Sequence, residues 1–278
     1  MNIVSTVDLS ALRRAVAAID GKDCDRDGSH RSVFAMGFAE ADRVFAAGLP
    51  RGALHEIFAA EAGDASAAMG FAFALALRAS DGDRPVVWLE EDIAAREGGG
   101  IYPPGLAALG FDPKRLLVVR CPSAKHVLRG ASDALEVAGI GAVVIAPWGT
   151  PRCLDLTVSR RLQLAAREAD VPAFLLMQGN SPGGSAALAR WRIAAAPSQS
   201  SGARAPGRPA FDVTLLRNRH GATGHWMMEW NNDENIFNPV FGPVFGPVFR
   251  PAEAFSGALV PAPFHGSAAA RKSVAQGR

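Results

Sequence analysis

The feature that most constrains this chain is a repeated alternation between residues 53 and 177. Short runs at 53–58, 85–89, 116–119, 141–146 and 172–177 are apolar at nearly every position, without the in–out alternation of a half-exposed strand. The segments between them have helical spacing. Residues 66–79 are apolar almost all round, 104–109 form a short helix, 123–138 place Val127, Leu128, Ala131, Leu135 and Ala138 on one face behind a capping Ser123, and 155–169 carry arginines on one side. Strands that are apolar on both faces must be covered on both faces. The pattern therefore predicts an α/β fold with a mostly parallel sheet flanked by helices.

Beyond residue 180 the pattern changes. Segments 191–195, 211–217 and 225–230 read as antiparallel strands, with Trp226 and Trp230 on one face as core residues. A Ser/Gly/Pro/Arg stretch at 197–209 reads as a mobile loop. From about residue 235 the chain contains a tandem repeat, Pro239-Val-Phe-Gly, Pro243-Val-Phe-Gly, Pro247-Val-Phe-Arg, in which a proline in each unit forbids a regular helix. At the other end, Leu9, Leu12, Val16 and Ile19 predict a short amphipathic helix, and 21–32 a charged linker. The expected organisation is a helix and linker over 1–33, a core over 34–234 and an extended, disordered tail over 235–278.

Several function classes are excluded early. The first residues lack the apolar run of a signal peptide, and no stretch holds the roughly 18 consecutive apolar residues that a membrane span needs, so a cytoplasmic protein is expected. Three dispersed cysteines suggest neither a disulfide framework nor a metal site, and His55, His126, His220 and His225 have no paired ligand spacing. No Ser-His-Asp arrangement emerges; Ser66 falls at a helix start, where capping accounts for it.

The most informative run is Gly48-Leu-Pro-Arg-Gly-Ala-Leu-His-Glu-Ile-Phe58, a Gly/Pro turn leading into a strand with an embedded Glu56. It resembles the entry to the nucleotide-binding core of RecA-family recombinases. In those proteins the strand is followed by a phosphate loop: a glycine, four residues, then Gly-Lys-Ser or Gly-Lys-Thr. Backbone N–H groups there cradle phosphates, the lysine meets the terminal phosphates and the hydroxyl holds Mg²⁺. Here the stretch is Ala59-Ala-Glu61-Ala-Gly63-Asp64-Ala65-Ser66. Both glycines and the lysine are lost, Asp64 brings a carboxylate where phosphate charge would sit, and only Ser66 survives. The aspartate that ends a second strand in such enzymes is Ala146, followed by Pro147. Glu90 or Glu91 matches the water-activating glutamate, and Gln178 matches the residue that senses the terminal phosphate. The resemblance thus implies a RecA-like fold that has lost ATP binding and hydrolysis, with no catalytic residue, cofactor or metal.

A RecA-like core with a ruined phosphate loop resembles the inducible mutagenesis protein A family, which is RecA- and SulA-related. The resemblance runs from about Phe34 to Trp230 and includes the strand ending Pro147-Trp148-Gly149. It implies an accessory or adaptor role in SOS-induced, error-prone translesion DNA synthesis. The implied partners are a Y-family polymerase homologue and an error-prone replicative-type DNA polymerase, with RecA and DNA as further candidate contacts and no membrane. Two competing expectations are an active RecA/RadA-like ATPase with a non-standard loop and a SulA-like cell-division inhibitor.

Charge adds one more candidate. Arg190, Arg192, Arg204, Arg208, Arg217 and Arg219 share thirty residues with a single acid, Asp212, for a local net charge of +5. Near them, Pro182-Gly-Gly184 resembles the end of a recombinase's mobile DNA-binding loop. The arginines are candidate contacts to DNA phosphates or to a partner.

Overall fold

The structure, a computed structural model, describes residues 32–46, 48–80, 83–177, 183–198, 200–202, 205–219 and 221–240. The expected N-terminal helix, most of the linker, Gln178, Arg204 and the Phe241–Arg278 stretch lie outside the described residues.

The chain enters through β1 (Val33–Phe34) and α1 (Ala39–Val44), and β2 (Leu49–Pro50) pairs back antiparallel on β1. Gly48 makes this return possible. Its φ is +137°, and a Cβ there would lie 2.6 Å from the Phe34 carbonyl oxygen, so only glycine fits the turn. The sheet proper then builds from β3 (Leu54–Ala59), β4 (Val86–Glu91), β5 (Leu116–Cys121), β6 (Ala142–Ala146), β7 (Ala173–Met177), β8 (Ala189–Ala195), β11 (Ala210–Asn218), β12 (Gly224–Asn231) and β13 (Ile236–Pro239). It has nine strands in the order β13-β12-β11-β8-β3-β7-β6-β4-β5. The run from β8 to β5 is parallel and the remainder antiparallel.

Two layers cover the sheet. Helix α2 (Ala65–Ala79) packs on one face, with α3 (Asp92–Glu97) and α4 (Pro103–Ala108) following β4; α5 (Ala124–Leu135) and α6 (Leu156–Ala169) line the other. The side chains divide accordingly. Ile57, Trp88, Val144 and Phe174 face α2, whereas Leu54, Leu89, Ile145 and Leu175 face α5 and α6. The all-round apolarity of α2 has a structural cause. Phe71 meets the sheet at Trp191 and also Phe211 and Phe237 of the antiparallel strands, while Phe73 stacks on Trp88 at 4.4 Å and reaches Phe111. The indole of Trp230 donates to the Leu109 carbonyl at 2.8 Å, which ties the antiparallel strands to the end of α4. Helix α2 is enclosed on several sides, so no polar face is needed.

Four expectations change. Strand β8 is antiparallel only to β11 and runs parallel to β3 on its other side. Its alternation of buried Trp191 and Ile193 with Arg190 and Arg192 arises because one of its faces is incompletely covered, not because both its neighbours are antiparallel. The stretch read as a loop at 197–209 contains a two-stranded ladder, β9 (Ser200–Gly202) with β10 (Ala205–Gly207). The sheet runs past the boundary expected at residue 234: β13 pairs with β12, and Phe237 is fully buried against Phe71 and Trp230. Finally, α5 stops at Leu135, three residues short of Ala138, and Ser123 makes no side-chain capping bond, its hydroxyl lying 2.9 Å from His126 Nδ1.

Candidate functional site

In a parallel sheet, ligands gather at the carboxyl ends of the strands. Here that edge carries the loop after β3, Glu90 and Glu91 at the end of β4, and Ala146 at the end of β6.

The loop is closed by its own bonds. Ala60 donates its N–H to the Ile193 carbonyl at 2.7 Å, and Asp64 donates to the Glu61 carbonyl at 3.0 Å in a 3₁₀ turn over Ala62–Asp64. The Asp64 side chain, only 6% exposed, accepts from Glu61 N at 3.2 Å and from Ala195 N at 2.9 Å. The N–H groups of Ala60, Glu61 and Asp64 are thus engaged inside the protein. Ala59 is buried, Ala65 is half-buried at the first position of α2, and Glu61 and Gly63 are exposed. Ser66 is the second helical residue and is exposed, so it is not the cap that its position in the sequence suggested.

Strand register brings three residues into one row. Glu90 pairs with Ala146 on one side and Arg120 on the other, all on the α2 face. Glu90 is 5% exposed; one oxygen accepts from the Trp88 indole at 3.1 Å and the other lies 3.4 Å from Arg120 Nε. Glu91 points to the opposite face, where its carboxylate accepts from the Trp148 N–H at 2.8 Å and holds the Pro147-Trp148 turn against β4. The two glutamates that look interchangeable in sequence therefore have separate tasks.

A second cluster lies on the α5/α6 face. Glu56 is 0% exposed in the middle of β3. Its carboxylate accepts from Arg190 Nε at 2.6 Å and from the Ser185 hydroxyl. Arg190 also donates to the Gly183 carbonyl, and Arg217 and Arg219 both donate to the Ser185 carbonyl, at 3.1 and 3.4 Å. Burial, then the neighbouring charges of Arg219 and Arg190, push the Arg217 pKa below the usual arginine value. The five described arginines of the six proposed from sequence are thus not one patch. Arg217 and Arg219 meet at the Ser185 carbonyl, and Arg190 shares the Glu56 carboxylate with the Ser185 hydroxyl; Arg192 is exposed on β8; Arg208 pairs with Asp233 at 2.9 Å and Glu229 at 3.8 Å. The Glu56–Arg190 pair was not foreseen. A glutamate inside a strand with no polar face was the available signal, because a buried charge needs a partner.

Among the described residues no group of three His, Cys, Asp or Glu side chains could hold a metal ion, and no helix is long and apolar enough to cross a membrane.

No family model matches the chain. It is 34% identical over 212 residues to Protein ImuA from two strains of Caulobacter vibrioides, NA1000 / CB15N and ATCC 19089 / CIP 103742 / CB 15, an overlap that covers 71% of this chain and 83% of each relative. Among solved structures it resembles the RadB recombinase, with a TM-score of 0.51 at 14% identity, over 74% of this chain and 99% of that one. The likeness to RadB establishes a RecA-like fold.

Proposed function

The chain belongs to the ImuA family, and from that premise we propose that it is a non-catalytic accessory protein of damage-induced mutagenesis, an adaptor built on a RecA-like domain. Its partners on this reading are a Y-family polymerase homologue and an error-prone replicative-type DNA polymerase working in SOS-induced translesion synthesis, with RecA as a further contact.

The observation that carries the non-catalytic part is Asp64. In the nucleotide-binding fold this edge would offer N–H groups and a lysine to phosphate. The residues present do not fit that group. A carboxylate already takes the N–H groups of Glu61 and Ala195, no cation stands at Ala65, and Ala146 offers no ligand for Mg²⁺. A phosphate entering here would also meet the Asp64 charge, a repulsion of about 1 kcal/mol at 4 Å even in bulk water and more in a partly buried setting.

The test is nucleotide binding by the purified protein, using a fluorescent ATP analogue with Mg²⁺ and a RecA-type ATPase as positive control. Absence of binding up to millimolar ligand supports the adaptor reading. Saturable micromolar binding overturns it in favour of an ATPase with a cation supplied from elsewhere in the chain. Co-purification with the polymerase homologue, against the bacterial division protein as comparison, separates the adaptor from a SulA-like inhibitor.

A further inference from the structure

Between the carboxyl ends of α5 and α6 lies a groove of about 520 Å³, lined by Leu135, Val137, Ile140, Ala165, Ala169 and Val171. At Val137, Gly139 and Ile140 it meets a second hollow of about 510 Å³ that runs on past Leu89 and Val119. Val137 belongs to both and is 54% exposed, and the neighbouring Ala138 and Gly139 are exposed as well. This lip, Val137-Ala-Gly-Ile140, has no polar side chain, although polar residues are common in surface turns.

The rim is acidic where helices favour the opposite sign. Asp133 and Glu136 stand at the end of α5, Glu168 and Asp170 at the end of α6, and all four are exposed. The carbonyl end of a helix already carries partial negative charge, which these carboxylates reinforce. Helix α5 has no basic residue in its last turn, and α6 has Arg167. The described chain begins at this rim. Ser32 donates its hydroxyl to the Asp170 carboxylate, and its carbonyl accepts from Arg51 N at 2.9 Å. Asp170 directly follows Ala169 of the groove wall. The residues that precede Ser32 therefore leave from the groove's side. Among them Leu9, Leu12, Val16 and Ile19 fall within an arc of about 80° at helical spacing, with Arg13 flanking the stripe. Residues 21–31 join that stripe to Ser32 and can span up to roughly 36 Å, so the groove is well within reach.

We propose that residues 8–20 seat as a helix in the groove of their own chain, with the apolar stripe against Val137 and Ile140 and Arg13 toward the carboxylate rim. Each surface supplies what the other needs. A helix this short is marginal in water and holds only when its apolar face is covered. The groove is apolar within and negative at its edge, which suits an apolar stripe flanked by a cation. Tethering favours the chain's own segment over that of a second copy, because a short linker holds it at about millimolar effective concentration. The face covered in this way is closed to other chains until the segment is displaced.

The test is hydrogen exchange read by mass spectrometry on the full chain, with a synthetic peptide of residues 1–31 as the unprotected reference. Amides of residues 9–19 are expected to exchange at least about tenfold more slowly in the chain than in the peptide, the effect of burying one large apolar side chain. Val137→Asp leaves the N-terminal sequence untouched and alters a side chain that is 54% exposed; it should return those amides to the peptide's rate. Leu12→Asp gives the reciprocal reading. It should speed exchange at residues 138–140 by a similar factor, and it decides the matter if Val137→Asp disturbs the fold. Exchange of residues 9–19 at the peptide's rate in the parent chain overturns the proposal, as does protection that survives both substitutions. Protection that falls on dilution, together with a dimer mass in native mass spectrometry, assigns the groove to a second copy and overturns the contact within one chain.

Discussion

Asp64 Oδ1 accepts a hydrogen bond from the backbone N–H of Ala195 at 2.9 Å, and this bond ties the loop after β3 to the end of β8. The same carboxylate holds the N–H of Glu61, so a position that could have served a ligand serves the fold. Asp64→Ala leaves two backbone donors without their acceptor. It should lower the unfolding free energy by about 1–3 kcal/mol, the cost of unsatisfied buried polar groups. Asp64→Asn, which keeps one acceptor oxygen, should lose less. Chemical denaturation measures both, and an unchanged midpoint for Asp64→Ala would remove the loop's proposed staple.

Adding the missing lysine should not by itself rebuild a nucleotide site. In Ala65→Lys the cation is present, but Asp64 still holds the Glu61 N–H and is available to pair with the lysine. No saturable binding of the fluorescent nucleotide is expected. Micromolar binding by this single variant would show that charge alone had been lacking.

The Glu56–Arg190 pair predicts an asymmetric cost. Arg190→Ala leaves a carboxylate that is 0% exposed without its cation and should destabilise by about 3–5 kcal/mol. Arg192→Ala, two residues along on the same strand but exposed, should change stability by no more than about 0.5 kcal/mol. A double-mutant cycle with Glu56→Gln isolates the coupling between the pair. Additive losses would mean that the two residues act independently.

The arginines also make a prediction about DNA. Arg192 and Arg219 are exposed and have no carboxylate partner among the described residues, so they are the proposed phosphate contacts. Each replacement by Gln should weaken binding of a labelled single-stranded oligonucleotide and reduce the slope of log K against log salt by about 1. Slopes indifferent to both substitutions would leave the protein's basic region without a role on DNA.

His55 should impose a pH dependence. The ring is fully buried, stacks on Phe174 at 5.6 Å between centroids, and lies with Nε2 3.2 Å from the Pro50 carbonyl. Burial pushes its pKa down to about 4. In the unfolded chain the ring takes a proton below about pH 6.5, so the unfolded state binds more protons across the window between the two values. The contribution is intact above about pH 6.5 and is lost as pH falls toward 4, amounting to about 3 kcal/mol over the window. The difference in unfolding free energy between about pH 7 and pH 4.5 should be smaller in His55→Gln than in the parent chain. Equal differences would place the pH sensitivity elsewhere.

Much of the fold was legible because it rests on local pattern. The apolar runs at β3, β4, β6 and β7 carry their need for cover on both faces in their own composition, and that need fixes a parallel sheet between helices. The absence of lysine at Ala65 and of aspartate at Ala146 can likewise be read without coordinates. The end of the sheet was less legible. Strand β13 contains asparagine and proline, and its place in the fold comes from Phe237 filling the space beside Phe71, a contact between residues far apart in the chain.

Tertiary structure alone decided which charges meet. Strand register sets Arg120, Glu90 and Ala146 side by side, although they belong to three separate strands. A shift in register between Leu215 and Arg217 places Arg217 opposite Arg190, where regular pairing after Leu215 and Trp191 would have brought Leu216. Such a bulge turns a side chain to the other face of the sheet. Hydrophobic pattern is a property of each segment and is written in the sequence. Register, bulges and the partners of buried charges arise only when distant segments pair, because the bonds that fix them have one end on each segment.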